Sequence, residues 1–170
     1  VDKNNIYYAY ENLEKIQGAD KNSFEVLGNY IAKDKNNVYY NGKKMENVDS
    51  KSFKNFGNFI GKDKNRVYFS AQQKVIFIEG YDIASLKAAF DRFFLKDKDY
   101  VYYLSIRLIK SDKAELLASY QGHRHYCSHP SMPASDFYLF KNAEGYWLVK
   151  IGGGVFVEFL GTEYNLPIIN

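Results

Sequence analysis

The sequence predicts a β-rich α+β fold: tandem ββα repeats, each an antiparallel hairpin plus a short helix, closed by a C-terminal antiparallel β-meander. Three observations predict it. The 170 residues include 16 Tyr, 13 Phe and 1 Trp, side chains that favour strands. A polar turn feeding an aromatic strand recurs four times: Asp2-Lys3-Asn4-Asn5-Ile6-Tyr7-Tyr8, Asp34-Lys35-Asn36-Asn37-Val38-Tyr39-Tyr40, Asp63-Lys64-Asn65-Arg66-Val67-Tyr68-Phe69 and Asp97-Lys98-Asp99-Tyr100-Val101-Tyr102-Tyr103. Each is followed by a second Asp that opens a short apolar run.

The hairpin is the firmest element. Tyr30-Ile31-Ala32-Lys33, Phe59-Ile60-Gly61-Lys62 and Phe93-Phe94-Leu95-Lys96 lead straight into Asp-Lys turns. Asp and Asn suit turns because their side chains bond the nearby backbone and tolerate left-handed geometry. Asn41-Gly42 marks another turn after the second strand of the second repeat.

The helix follows from the second Asp. Asp20, Asp49, Asp82 and Asp112 are followed three residues later by Ser23, Ser52, Ser85 and Glu115, then by Phe24, Phe53, Leu86 and Leu116. An Asp before an apolar run reads as an N-cap, and Asp112 with Glu115 fits a capping box. Gly28 and Gly57 end two of the runs. The repeats are bounded at about 2–33, 34–62, 63–96 and 97–122. One unit cannot bury its apolar face, so stacked copies share a core. In the second strand Val38 and Tyr40 point one way and Tyr39 the other. With helices over the first face, Tyr7, Tyr39, Tyr68 and Tyr102 form a stripe on the second.

With these residues in hand, the pattern Lys-Asp-Lys-Asn-x-Val-Tyr-Tyr, Gly-Lys-Lys, then Asp-x-x-Ser-Phe resembles the bacterial DKNYY repeat family, over residues 1 to about 122. The third repeat departs at Ser70-Ala71-Gln72-Gln73, and the fourth carries Asp99-Tyr100 in its turn. The resemblance implies a bacterial source and an exported or envelope context rather than a cytoplasmic one. It implies no chemistry, since the family has no established activity.

Residues 123–170 break the pattern and read as a β cap packed on the repeats, the whole forming one cooperative unit. By register, His123 and His125 take the places of Phe93 and Leu95. Phe137-Tyr138-Leu139-Phe140 and residues 146–151 read as a hairpin, Gly152-Gly153-Gly154 bends the chain, and residues 155–159 form a further strand.

Candidate chemistry is sparse. His123, His125, Cys127 and His129 alternate, and His and Cys suit a transition metal such as zinc. Alternate positions lie about 6.5–7 Å apart along a strand, so four of them cannot surround one ion without a bend. The narrower metal reading is His123 and His125 with a carboxylate from elsewhere. A nucleophilic Cys127 lacks any accompanying oxyanion-hole motif. The Asp-x-Asn turns lack the later ligands and the glycine of a calcium loop. No residue is assigned a catalytic role.

Net charge is +3, too small to argue for nucleic acid. A single cysteine excludes an intrachain disulfide, and no apolar run reaches the length of a membrane-spanning helix. The chain starts at Val1 inside a repeat, which suggests that an upstream segment, such as a signal or lipid anchor, was removed. The function expected is a non-catalytic binding protein for a protein partner, with toxin neutralisation (immunity) or an envelope role as concrete versions. The alternatives are a metal-binding protein or metalloenzyme at His123 and His125, and glycan binding through the tyrosine stripe.

Overall fold

The structure, a computed structural model, describes residues 5–9, 12–57, 60–71, 74–90, 93–122 and 135–163. These residues are all-β. Eighteen strands form five antiparallel sheets, and no helix occurs among the described residues. The chain divides into two compact units, residues 1–87 and 88–170.

The first unit holds β1 (Tyr7–Ala9) and β2 (Leu13–Lys15), then β3 (Glu25–Gly28), β4 (Ile31–Lys33), β5 (Val38–Tyr40) and β6 (Lys43–Lys44), then β7 (Lys54–Gly57), β8 (Ile60–Lys62), β9 (Val67–Ala71) and β10 (Lys74–Ile78). β11 (Lys87–Ala89) starts at the boundary. β12 (Phe94–Lys96), β13 (Tyr100–Tyr103) and β14 (Ile106–Lys110) follow, and then β15 (Glu115–Tyr120), β16 (Asp136–Asn142), β17 (Gly145–Ile151) and β18 (Val155–Gly161). Four of the sheets are four-stranded meanders in which sequence neighbours pair in order.

The expected ββα repeat is therefore corrected: the segment after the second Asp is a strand. Asp20 Oδ1 accepts the Ser23 N–H at 3.1 Å and the Ser23 hydroxyl at 3.1 Å, and Asp49 and Asp82 do the same with Ser52 and Ser85. This is the bond an N-cap would make, but the chain turns once and then extends. Only one helical-type bond forms at Asp82, where its carbonyl accepts the Leu86 N–H at 3.0 Å. A run of four or five residues before a glycine cannot offset the cost of nucleating a helix. It gains more by pairing with the strand that follows: Glu25 opposite Lys33, and Val26 opposite Ala32. Asp112 and Glu115 make no capping box either, because Glu115 lies in β15 opposite Lys141.

In the first unit the sheet β3–β6 is covered on both faces at its inner strands, β4 and β5. On one side Tyr39 packs with Ile6 and Ile16, its ring 5.7 Å from Phe24. On the other, Ile31, Val38 and Tyr40 pack with Met45, Phe53 and Tyr68. Tyr68 thus meets the sheet before its own, as Tyr39 does. In the second unit Phe94, Val101 and Ile109 pack with Tyr138, Phe140 and Val149 of the last sheet.

The last sheet hides a fifth repeat. The Asn142 Oδ1 accepts the N–H groups of Glu144 and Gly145 at 2.9 and 3.2 Å and the Trp147 Nε1–H at 2.9 Å. Asp34 accepts from Asn36, Asn37 and Tyr39 at the same spacings of two, three and five residues. Asn142 therefore stands for Asp34, and Trp147 for Tyr39. On that alignment Tyr138 and Phe140, not His123 and His125, take the places of Phe93 and Leu95. Residues 121–135 separate β15 from β16, where Asn29 and Tyr30 alone separate β3 from β4.

Candidate interaction surface

The recurring polar residues are consumed by the scaffold. Asp34 is 2% exposed. Its Oδ1 accepts Asn36 N–H at 2.8 Å and Asn37 N–H at 2.7 Å, which closes the turn. Its Oδ2 accepts the Tyr39 hydroxyl and the Asp20 N–H, each at 2.8 Å. Asp63 repeats this set with Asn65, Arg66, Tyr68 and Asp49. Asp97 does so with Asp99, Tyr100 and Tyr102. Burial pushes the Asp34 and Asp63 carboxyls up, but the hydrogen bonds outweigh it and hold both below the ordinary value. Burial, reinforced by the adjacent carboxylate, pushes the Tyr39 hydroxyl up to about 12 and raises Tyr68 likewise.

The second Asp ties one repeat to the next. Lys35 Nζ lies 2.6 Å from Asp20 Oδ2, and Lys64 Nζ lies 2.8 Å from Asp49 Oδ2. Ser23 and Ser52 hydroxyl oxygens accept the Lys35 and Lys64 N–H groups. Ser50 Oγ donates to the Asp34 carbonyl. The lysine side chains remain exposed, and these ion pairs act as surface clips.

Of the residues expected to form the tyrosine stripe, Tyr39, Tyr68 and Tyr102 are 1, 1 and 3% exposed, and Tyr7 is half-buried. The three buried rings offer no face to solvent: Tyr39 and Tyr68 pack into two clusters of the first unit, and the Tyr102 hydroxyl donates to the buried Asp97 carboxylate. His123, His125, Cys127 and His129 lie outside the described residues. Among the described residues, no group of three His, Cys, Asp or Glu side chains is placed to hold a metal ion.

The exposed aromatic surface is elsewhere. On the last sheet, Tyr120 lies opposite Phe137, Phe137 opposite Lys150, and Lys150 opposite Phe156. Directly paired residues share a face, so the four form one row across β15, β16, β17 and β18. Tyr120 and Phe156 are 63 and 60% exposed. The Tyr120 and Phe137 rings are 6.4 Å apart, and Lys150 Nζ lies 5.7 Å from the Phe137 ring centre. The opposite face of the same sheet carries Tyr138, Phe140 and Val149 into the core. Sequence reasoning missed this row. Its signal was the alternation in residues 136–142, which puts Phe137 opposite in sense to Tyr138.

No curated protein and no solved structure matches the chain. Residues 1–60, which carry the first two Asp-Lys-Asn motifs and the Asp34–Tyr39 pair, match the model of the DKNYY family.

Proposed function

We propose that this is a non-catalytic interaction protein that binds a protein partner through the outer face of its last sheet. The carrying observation is the row Tyr120, Phe137, Lys150 and Phe156, which leaves two aromatic side chains more than half exposed on a sheet whose other face is core. Exposed aromatics grouped on a rigid face supply contact area at low entropic cost. The acidic and hydroxyl groups of the repeats, by contrast, are engaged with each other and with the backbone.

Photo-crosslinking in the source cells tests the reading. A photoreactive phenylalanine analogue is placed at Tyr120 or Phe156, and a control at exposed Lys51. One discrete protein adduct shared by the two row positions and absent from the control is expected. Adducts no different from the control overturn the proposal.

A further inference from the structure

β18 is the longest edge strand among the described residues, one residue longer than β15 at the other edge of the same sheet. β6 is two residues, both lysine, and β2 and β14 end in Lys15 and Lys110. Short, lysine-bearing edges resist pairing with other chains. β18 runs for seven residues, Val155–Gly161, with no Lys, Arg or Pro. Its register with β17 is unbroken from Val155 to Phe159. Phe156, Val157 and Phe159 are 60, 38 and 46% exposed, so both faces of the strand are open. Among the described residues β18 has β17 as its one neighbour.

We propose that β18 is a strand-addition site, taking an extended segment of another protein that pairs with its backbone and places a basic side chain opposite Glu158. The inference rests on the interaction reading above and names the partner's chemistry. Backbone pairing supplies the attachment, and alternate side chains supply the selection. Val157 and Phe159 ask for apolar partners on one face, as Phe156 does on the other. Glu158, the single charge on the strand, asks for Lys or Arg. Glu158 is also the midpoint of β18. Antiparallel pairing with a second copy centred there sets Glu158 against Glu158, a like-charge contact that disfavours the dimer.

The test uses the whole chain and a displayed library of random nine-residue segments, followed by synthetic peptides of the selected sequences. Alternating sequences with a Lys or Arg near the centre are expected, and their binding protects the β18 amides from hydrogen exchange. Glu158→Arg is expected to weaken them at least roughly fivefold, from attraction turned to repulsion across the pair. Glu158→Gln, which keeps the size, gives a smaller loss. No selected binders, binders that leave the β18 amides unprotected, or binders indifferent to both variants overturn the site. The crosslinking reading of the row stands or falls separately. Protection, in the dilute chain alone, of the β18 amides that point away from β17 assigns the edge to another part of the chain itself, and protection of them that rises with concentration assigns it to a second copy. Either result overturns the proposal.

Discussion

The Tyr39 hydroxyl donates a 2.8 Å hydrogen bond to the Asp34 carboxylate five residues earlier, and both groups are buried. The bond joins the turn to the strand it feeds. Because Asp34 Oδ2 also accepts the Asp20 N–H, it joins one repeat to the next. Tyr39→Phe keeps the ring and removes one donor to a charged acceptor, at a cost of about 1.5–3 kcal/mol. Asp34→Ala strips the acceptor from three backbone N–H groups and one hydroxyl, and is expected to cost about 3–5 kcal/mol. Urea denaturation checks both. Equal effects from the two variants would mean that the turn N–H groups find other acceptors.

The same pair sets a pH window. Asp34 and Asp63 are held below their ordinary value of 3.8, so the unfolded chain binds more protons there as pH falls. The stability they contribute is full above about pH 4 and is lost as pH falls through their folded values. Tyr39 works at the other end. Its folded value is raised from 10.0 to about 12, so its contribution is full below pH 10 and is lost between there and about pH 12. Urea midpoints measured from pH 2 to 11 are expected to fall at both ends. Asp34→Asn should flatten the acid limb, and Tyr39→Phe should flatten part of the alkaline one.

The fifth repeat makes a separate prediction. Asn142 is 4% exposed and serves three donors, while its Nδ2 donates to the Lys110 carbonyl at 3.1 Å. Asn142→Ala is expected to cost about 2–4 kcal/mol, and Trp147→Phe about 1 kcal/mol from the lost N–H bond plus a packing loss. Asn142→Asp keeps the acceptors but sets a carboxylate against the Lys110 carbonyl, and should fall between these two. If Asn142→Ala is neutral by chemical denaturation, the residue does not play the part Asp34 plays.

The turns were legible because their chemistry is local: Asp34 bonds N–H groups two and three residues away. The strand at Glu25–Gly28 was not. Asp20 and Ser23 make the same bond in a turn as at a helix N-terminus, and Phe24 with Leu27 mimics a helical spacing. What decides is pairing with β4, which is tertiary. The burial of Tyr39 was hidden for a similar reason. Alternation tells that Tyr39 and Tyr40 face apart, but not that both faces of the sheet are covered. Asn142 and Trp147 were visible at the right spacing, masked by two substitutions and by residues 121–135 intervening before β16. The row Tyr120–Phe137–Lys150–Phe156 depends on a register across four strands, which no single stretch specifies.

A close contact behind the hairpin yields the last prediction. A Cβ at Gly61 would lie 2.6 and 2.9 Å from two ring carbons of Phe53 and 3.2 Å from the Lys54 carbonyl oxygen. Phe53 is buried at 4% exposure in the cluster with Val38 and Tyr68, so its ring has little room to yield. Gly61→Ala is therefore expected to cost about 1–3 kcal/mol. The sequence supplies its own compensation. The third repeat carries Leu86 where the second has Phe53, and Leu95 where it has Gly61. Phe53→Leu should lose ring packing alone but relieve the clash in the double variant. The double variant Phe53→Leu with Gly61→Ala is thus expected to be more stable than the sum of the single losses. A double-mutant cycle by urea denaturation measures the coupling. Strict additivity would mean that the backbone at Gly61, and not the Phe53 ring, absorbs the new methyl group.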